Sequence, residues 1–245
     1  MSDAMFEHPR LAAVYDLFDD DRSDLAAYLA VADASGARVV ADLGCGTGTF
    51  ALLLAATGRE VIGVDPAAAS LDVARRKPGG HRVTWIHGDA RALPDVRADL
   101  VTMTGNVAQA VVEPADWEQT LAGARRALRP GGHLVLETRD PARAAWTTWT
   151  REATHRTVTT PSGAVEHWDV VTGVDGPLVT FEGTWVFHED GAVLTSRSTL
   201  RFRGRAEVER DLAGHGFTVI DVRDAPDRPG LEFVFLARRP PVPTA

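Results

Sequence analysis

The 245-residue chain contains one cysteine, Cys45, and one lysine, Lys77. A single cysteine excludes an intramolecular disulfide and any metal site built from several thiolates, so we expect no metal centre. The lysine does not follow a glycine, which excludes a phosphate-binding P-loop. Neither Tyr15 nor Tyr28 has a lysine four positions later, so the Tyr-x-x-x-Lys pair of one dehydrogenase class is also missing.

Long hydrophobic runs and basic surfaces are lacking as well. No apolar run is long enough to cross a bilayer, and residues 1–10 hold no apolar signal core. The formal net charge is -8 at pH 7, which disfavours nucleic acid and anionic membranes as partners. We therefore expect a cytoplasmic protein. With 44% hydrophobic residues, the chain has enough apolar material for one substantial core.

Short apolar runs alternate with longer amphipathic stretches from residue 38 to residue 137, the pattern of βα units that feed a parallel sheet. The predicted strands are Val39–Leu43, Val61–Val64, Val83–Ile86, Leu100–Met103 and Leu134–Leu136. The predicted helices between them are Thr49–Ala56, Ala67–Arg76 and Asp116–Leu128. Two earlier helical stretches, Leu11–Asp20 and Ser23–Ala32, would pack over one edge of the sheet and are candidates for a lid.

The sequence changes character after residue 140. Three stretches rich in Val, Thr, Trp and Phe are joined by Asp-Gly pairs, which predicts a three-stranded antiparallel insertion: Val165–Val174, Leu178–His188 and Val193–Phe202. A helix at Ala206–Gly214 and strands at Phe217–Val222 and Glu232–Arg238 follow. Residues 239–245 are proline-rich and are expected to form a flexible tail.

A glycine-rich turn gives the most specific signal. The strand Val39–Leu43 runs directly into Gly44-Cys45-Gly46-Thr47-Gly48. Glycine is needed at such a turn because a side chain would block the approach of a ligand to the backbone. Asp65 ends the next strand about 20 residues later, where a carboxylate can accept hydrogen bonds from a ribose diol. This arrangement predicts an adenosine bound across the turn.

The details of the turn distinguish between adenosine cofactors. Dinucleotide-binding folds usually present G-x-G-x-x-G, which places a pyrophosphate at a helix N-terminus. Here the spacing is G-x-G-x-G, and Asp42 lies two residues before the first glycine. A carboxylate is a poor neighbour for a pyrophosphate and a good one for a cation. S-adenosylmethionine (SAM) offers a sulfonium and an ammonium group, so the turn favours SAM.

The segment Asp42–Gly48 resembles the first motif of the class I SAM-dependent methyltransferases. In that family an acid after strand three contacts the adenine amino group, and Gly88-Asp89-Ala90 matches it. The family's proline and paired glycines before strand five match Pro130-Gly131-Gly132. The resemblance covers about residues 38–139, and its motifs together are specific. It implies a Rossmann-like, doubly wound sheet of seven strands, mostly parallel with an antiparallel last strand.

The resemblance also implies a set of cofactor-binding residues: Tyr15, Asp42, Gly44, Cys45, Gly46, Gly48, Asp65, Pro66, Asp89, Ala90, Thr104 and Asn106. The pair Tyr15-Asp16 is similar to the Tyr-Asp opening of small-molecule N- and O-methyltransferases, where the tyrosine reaches the cofactor or the substrate. Packing under the lid is an equal alternative for Tyr15. Asn106 and Gln109 either face a ligand or cap the following helix.

The residues after strand four bear on the acceptor. Family members that methylate nucleobases or glutamine amides usually carry Asn/Asp-Pro-Pro-Tyr/Phe, whereas this chain has Thr104-Gly105-Asn106-Val107. A small molecule is therefore the expected acceptor, methylated at N or O by in-line displacement. Glu137 is the first candidate for a general base, and His167 and Tyr15 are the other catalytic candidates. Trp146, Trp149 and Trp168 would wall an acceptor pocket or pack on the insertion.

The expected organisation is a helical lid at 1–37, a SAM-binding domain at 38–140 and 204–238, and an insertion at 141–203. The insertion would form the acceptor pocket or an oligomer contact, which makes a homodimer possible. Two alternative functions stay open. One is a nicotinamide-dependent oxidoreductase on the same sheet, and the other is a non-catalytic module that binds SAM.

Overall fold

The computed structural model describes residues 3–19, 21–225 and 227–242, so predictions for residues 1, 2, 20, 226 and 243–245 lie outside the described residues. The helices are α1 (Ala4–Glu7), α2 (Pro9–Phe18), α3 (Leu25–Ala34), α4 (Thr49–Ala56), α5 (Ala68–Arg76), α6 (Val107–Ala110), α7 (Pro114–Ala127), α8 (Arg151–Thr154) and α9 (Arg205–Gly214). The strands are β1 (Val39–Leu43), β2 (Glu60–Asp65), β3 (Val83–His87), β4 (Ala98–Met103), β5 (Leu128–Arg139), β6 (Arg156–Thr160), β7 (Gly163–Asp175), β8 (Leu178–Phe187), β9 (Val193–Arg201), β10 (Thr218–Ala225) and β11 (Arg228–Arg238).

Seven strands form the central sheet in the order β10-β11-β5-β4-β1-β2-β3. Strands β1 to β5 pair in parallel, and β11 is antiparallel to both of its neighbours. The predicted fold class is therefore confirmed. The chain leaves β1 toward β2 on one side and later returns to β4 on the other. Ligands bind at such a switch point, outside the carboxyl ends of the strands.

Both faces of the sheet are buried. Val40 of β1 packs in one core cluster with Tyr28 of α3 and Leu54 of α4. Ala41 of the same strand packs on the opposite side, in a second cluster that includes Leu121 of α7. This explains why the strands read as continuous apolar runs. No helix among the described residues is both long and apolar enough to span a membrane.

The bare backbone of two glycines allows close packing beside β1. The ring of Trp85 lies over Gly63, where an added Cβ would come within 2.7 Å of the indole. An added Cβ on Gly48 would come within 2.5 Å of the same ring. The indole is fixed because Trp85 Nε1 donates a 2.8 Å hydrogen bond to the Gly80 carbonyl. Trp85 therefore holds β2, β3 and the glycine-rich turn in one packed unit.

The insertion has four strands, in the order β6-β7-β8-β9, so the prediction of three was wrong. The missed strand, Arg156–Thr160, forms a hairpin with β7 in which Thr160 pairs with Gly163. It has one apolar side chain, Val158, which packs beside the third core cluster. A strand with a single apolar contact has no alternating hydrophobic pattern, and this is why the sequence did not reveal it.

The two N-terminal helices pack in different places, although both were expected over one edge of the sheet. Helix α3 packs on a face of the central sheet through Leu25 and Tyr28. Helix α2 contacts α5 of the central domain and also packs on the insertion, where Leu11 and Val14 join Trp185 in the third core cluster. Helix α2 therefore connects the insertion to the central domain.

Strand β5 begins six residues earlier than predicted, because the Arg-Pro-Gly-Gly sequence forms a bulge rather than a free turn. Leu128 pairs with Ala98, and the pairing resumes at His133 with Leu100. Gly131 adopts a φ of +82° within this bulge, in the left-handed region that favours glycine.

We predict that Gly63→Ala lowers the free energy of unfolding by about 1–3 kcal/mol, because the new methyl group would overlap the Trp85 ring. Urea denaturation measures the change. Gly173→Ala is the matched control, since an added Cβ there meets nothing within 4 Å. Equal stability of the two variants would contradict the packing described for Trp85.

Candidate functional site

The glycine-rich turn has left-handed backbone at three positions, with φ of +72° at Gly44, +52° at Gly46 and +80° at Gly48. The amide of Gly44 donates a 2.8 Å hydrogen bond to the Val64 carbonyl, which ties the turn to β2. An added Cβ on Gly44 would collide with the Val107 side chain, whereas one on Gly46 would meet nothing within 4 Å. Open space therefore lies beside Gly46, and we call this space the crevice.

Asp65 stabilises the turn through both of its carboxylate oxygens. Oδ2 accepts a 2.8 Å hydrogen bond from the Gly46 amide, and Oδ1 accepts one of the same length from the Ala67 amide. Burial raises the pKa of Asp65, and these two amide donors oppose the rise. Each oxygen keeps a lone pair for a further donor such as a ribose hydroxyl. Pro66 lies between Asp65 and Ala67, and its carbonyl oxygen is 2.9 Å from His87 Nε2.

Asp42 lies buried at the carboxyl end of β1. Its Oδ1 accepts a 2.7 Å hydrogen bond from Thr102 Oγ1 of β4. Burial raises the pKa of Asp42 to about 7, the neighbouring Asp65 adds to the rise, and Arg22 opposes it. Asp42 and Asp65 are therefore two buried carboxyl groups close to each other, and Asp65 is bound directly to the glycine-rich turn. Arg22, in the segment between α2 and α3, was missed by the sequence analysis.

The other residues predicted to hold the adenosine differ in exposure. The Asp89 side chain is 41% exposed and forms an ion pair with Arg91, which lowers the pKa of Asp89. Ala90 is buried against α7, where its carbonyl accepts a 3.1 Å hydrogen bond from Arg126. Cys45 is buried within the turn, and burial raises its thiol pKa, so the thiol is unreactive at neutral pH.

Glu137 lies at the carboxyl end of β5 and is 4% exposed. Its Oε1 accepts a 2.9 Å hydrogen bond from the Asn106 amide, which fixes the loop after β4. Burial raises the pKa of Glu137 to about 7, and the nearby carboxylate of Glu232 adds to the rise. Thr104, in the same loop, is also buried.

Asn106 and Gln109 are both buried and each has one amide atom without a partner: Oδ1 of Asn106 and Nε2 of Gln109. Asn106 has a left-handed φ of +60° and its side chain does not cap α6, so the capping alternative is wrong for this residue. Its Nδ2 lies 3.3 Å from Glu232 Oε1. Gln109 Oε1 accepts a 3.0 Å hydrogen bond from Arg139 Nη1.

Glu232 and Arg139 were missed by the sequence analysis. Glu232 is 2% exposed, and its Oε1 lies 2.6 Å from Arg228 Nη1 and 3.4 Å from Arg139 Nε. The antiparallel register of β5 and β11 places Arg139 opposite Glu232. Only this register brings them together, because the two residues are far apart in the sequence.

Two side chains of helix α2 face this region. Tyr15 is half-buried, and burial together with Asp19 raises its pKa to about 12, so the phenol stays protonated at neutral pH. Asp16 accepts a 2.6 Å hydrogen bond from Thr47 Oγ1 of the glycine-rich turn and forms a 2.7 Å ion pair with Lys77. Helix α2 is thus attached directly to the turn.

The remaining catalytic candidate, His167, lies on the face of the insertion that α2 covers. Its ring stacks on Trp185 at a centroid distance of 4.3 Å. Nδ1 lies 3.2 Å from the Thr184 carbonyl, and Nε2 lies 3.3 Å from Asp169 Oδ2. Both ring nitrogens therefore already have oxygen partners within the insertion.

The three tryptophans near the start of the insertion are placed differently from one another. Trp146 packs against Phe202 with a centroid distance of 4.5 Å. Trp149 lies 5.5 Å from the Arg139 guanidinium, close to the site. Trp168 is covered by Arg151 at 4.1 Å. Trp149 is therefore the one of these three that contacts a residue at the end of β5.

A comparison with protein families matches residues 40–132 to a family described as "Methyltransferase domain". Among curated proteins, the chain is 40% identical over 106 residues to a cypemycin N-terminal methyltransferase from Streptomyces sp, covering 43% of each protein. It is also 40% identical over 110 residues to a demethylmenaquinone methyltransferase from Clavibacter sepedonicus, covering 44% of this chain and 43% of that protein. The chain thus spans about half the length of the curated relatives it matches.

Solved structures extend the likeness over nearly the whole chain. The CcbJ methyltransferase from Streptomyces caelestis has a TM-score of 0.72 at 24% identity, covering 93% of this chain and 96% of that one. The SAM-bound amino pentose methyltransferase CalS10 from Micromonospora echinaspora has a TM-score of 0.67 at 25% identity, covering 90% and 93%. The family match and the fold agree with the glycine-rich turn and its acids. Residues 40–132 therefore match a methyltransferase domain, in agreement with the resemblance of the first motif to the SAM-dependent methyltransferases.

Proposed function

We propose that this chain transfers a methyl group from SAM to an N or O atom of a small molecule. The observation that carries the proposal is the open space beside Gly46, whose amide is bound to the buried carboxylate of Asp65, with the buried carboxyl group of Asp42 near Asp65. Such a crevice suits a ligand that brings positive charge close to the backbone, whereas a diphosphate would meet two acids. The same two acids disfavour the nicotinamide-dependent alternative, because a nicotinamide dinucleotide carries a diphosphate.

Within this proposal, each part of the cofactor has residues suited to hold it. Asp65 would accept hydrogen bonds from the ribose hydroxyls, with Pro66 beside it, and Asp89 and Ala90 would hold the adenine. The glycines of the turn and Cys45 would contribute backbone. The methionine end would be held by Asp42, Thr104, Asn106 and Tyr15. SAM supplies a methyl group on a positively charged sulfur when bound.

The chain's own contribution to the reaction is orientation, exclusion of water and removal of one proton. Helix α2, which is bound to the glycine-rich turn, and the insertion would cover the carboxyl ends of the strands and exclude water there. Glu137 can take the proton that the acceptor loses, because its pKa of about 7 leaves it partly ionised at neutral pH. Tyr15, with a pKa of about 12, is better suited to donate a hydrogen bond than to act as a base.

The names of two matched proteins favour nitrogen as the methylated atom. The 40% identical relative is named for methylation of an N-terminus, and CalS10 is named for an amino pentose. A primary or secondary amine is therefore the first acceptor class to test. A homodimer that pairs through an edge strand of the insertion, β6 or β9, is part of the proposal. A cytoplasmic location also stays part of the proposal.

The lid and the acceptor pocket are part of the same proposal. Residues 1–37 would form the lid, 38–140 with 204–238 the SAM-binding domain, and 141–203 the acceptor side. The attachment of Asp16 to Thr47 and Lys77 supports a lid, because this contact must open or shift when a ligand enters beneath α2.

We predict that Gly46→Ala weakens SAM binding by at least about tenfold, or 1.4 kcal/mol, because the new methyl group enters the crevice. Isothermal titration calorimetry with SAM measures the effect. Gly36→Ala is the matched control, because Gly36 has a similar φ of +61° and no atom within 4 Å of an added Cβ. Equal binding by both variants would place the ligand elsewhere.

Turnover separates the enzyme from a non-catalytic SAM-binding module. Incubation with SAM and a panel of amino sugars and short peptides with free N-termini should release S-adenosylhomocysteine (SAH). With an accepted amine, the rate should fall as the pH drops below about 7, because Glu137 becomes protonated. Glu137→Gln should remove that fall and lower kcat by about 10²–10⁴. An unchanged pH profile in this variant would rule out Glu137 as the base, and Glu182→Gln serves as the exposed control.

Asp16→Asn should speed the release of SAH about fivefold, because a partly exposed ion pair and hydrogen bond are worth on the order of 1 kcal/mol. Lys77→Met should give a smaller change in the same direction, since it removes the ion pair and leaves the hydrogen bond from Thr47. Stopped-flow displacement of SAH measures the rate, and Asp72→Asn is a control on an exposed ion pair of α5. Wild-type release rates in both variants would refute the lid.

A further inference from the structure

Helix α6 depends on contacts from outside itself. It has only four residues, and isolated helices of this length do not form in water. No side chain caps its N-terminus. Its carbonyl groups at the C-terminal end face Arg203, whose Nη1 donates 2.7 Å to the Ala108 carbonyl and whose Nη2 donates 2.7 Å to the Val111 carbonyl. One guanidinium therefore replaces the next helical turn.

Arg203 is itself held in one position. It is 2% exposed, and its guanidinium lies 4.4 Å from the centroid of the Trp117 ring of α7. The indole is fixed in turn by a 2.8 Å hydrogen bond from Trp117 Nε1 to Asp211 Oδ2 of α9. A buried charge is costly unless its donors are used, and here two of them go to carbonyl groups of one short segment. Arg203 is therefore a fixed anchor rather than a mobile surface arginine.

The position of Arg203 in the chain matters. It follows β9, the last strand of the insertion, and precedes α9. Arg203 thus lies where the chain returns from the insertion to the central domain. The contact to α6 thus joins the exit of the insertion to the loop after β4.

The opposite end of this loop contacts the glycine-rich turn. The Asn106 amide is bound to Glu137, and the Val107 side chain occupies the space where a Cβ on Gly44 would lie. A displacement of α6 would move Val107 away from Gly44 and remove a wall of the glycine-rich turn. The segment 104–111 is therefore held at one end by Glu137 and at the other by Arg203.

We propose that Arg203 is a positioning residue that acts through α6 on the cofactor crevice. From the end of the insertion, Arg203 fixes the carbonyl groups of Ala108 and Val111. It thereby fixes Val107, which lies against Gly44 of the glycine-rich turn that borders the crevice. Arg203 itself does not need to touch a ligand. The inference rests on the proposed function only for the identity of the ligand used in the test.

The test combines hydrogen exchange with SAH binding in Arg203→Lys and Arg203→Met. We expect amide exchange in the segment 105–112 to rise about tenfold in Arg203→Met, while exchange in β1 and β2 stays at the wild-type level. SAH affinity should fall about tenfold. Arg203→Lys should give a smaller change in both readouts, because one ammonium group cannot donate to both carbonyls in the geometry of the guanidinium.

Arg205→Met is the matched control, because Arg205 lies two positions after Arg203 in the chain. Arg205 is exposed and forms an ion pair with Glu209. It should leave both readouts unchanged. Exchange that rises evenly across the domain, or SAH affinity that stays at the wild-type value in Arg203→Met and Arg203→Lys, would overturn the proposal. Failure of the wild-type protein to bind SAH would instead refute the proposed function, and the exchange pattern would still test the positioning of α6.

Discussion

The backbone conformation of the turn after β1 is the constraint on which the rest of the site depends. Left-handed φ values at Gly44, Gly46 and Gly48 are accessible at low cost only to glycine, and they turn the chain sharply at the switch point of the sheet. Asp65 stabilises this conformation by accepting a hydrogen bond from the Gly46 amide. A residue predicted from its position to bind a ligand thus also fixes the surface on which the ligand would lie.

Charge gives the site its chemical character. Two carboxyl groups with pKa values of about 7, Asp42 and Glu137, lie at the carboxyl ends of β1 and β5, the two strands on either side of β4. Their pKa values are raised chiefly by burial, so a cation brought into the crevice would favour their ionised forms. Glu232, which lies near Glu137, is paired with Arg139 and Arg228.

The central sheet and the glycine-rich turn were predictable because their signals are local. Buried parallel strands appear as continuous apolar runs, and the acid after β2 follows at the expected spacing. Other features depend on information that one stretch of sequence does not contain. Glu232 meets Arg139 only through the register of β5 and β11, and Arg203 meets α6 only after the insertion has folded. Strand β6 was missed because threonines and one valine give no alternating pattern.

We expect the crevice beside Gly46 to hold SAM rather than a dinucleotide. Crystal structures of the chain grown with SAH and, separately, with NADH test this. SAH should lie across the glycine-rich turn, with its ribose hydroxyls on Asp65, and the crevice should be empty in the NADH crystals. A dinucleotide seated on the turn, or SAH bound away from it, would show that SAM is not the ligand of this turn.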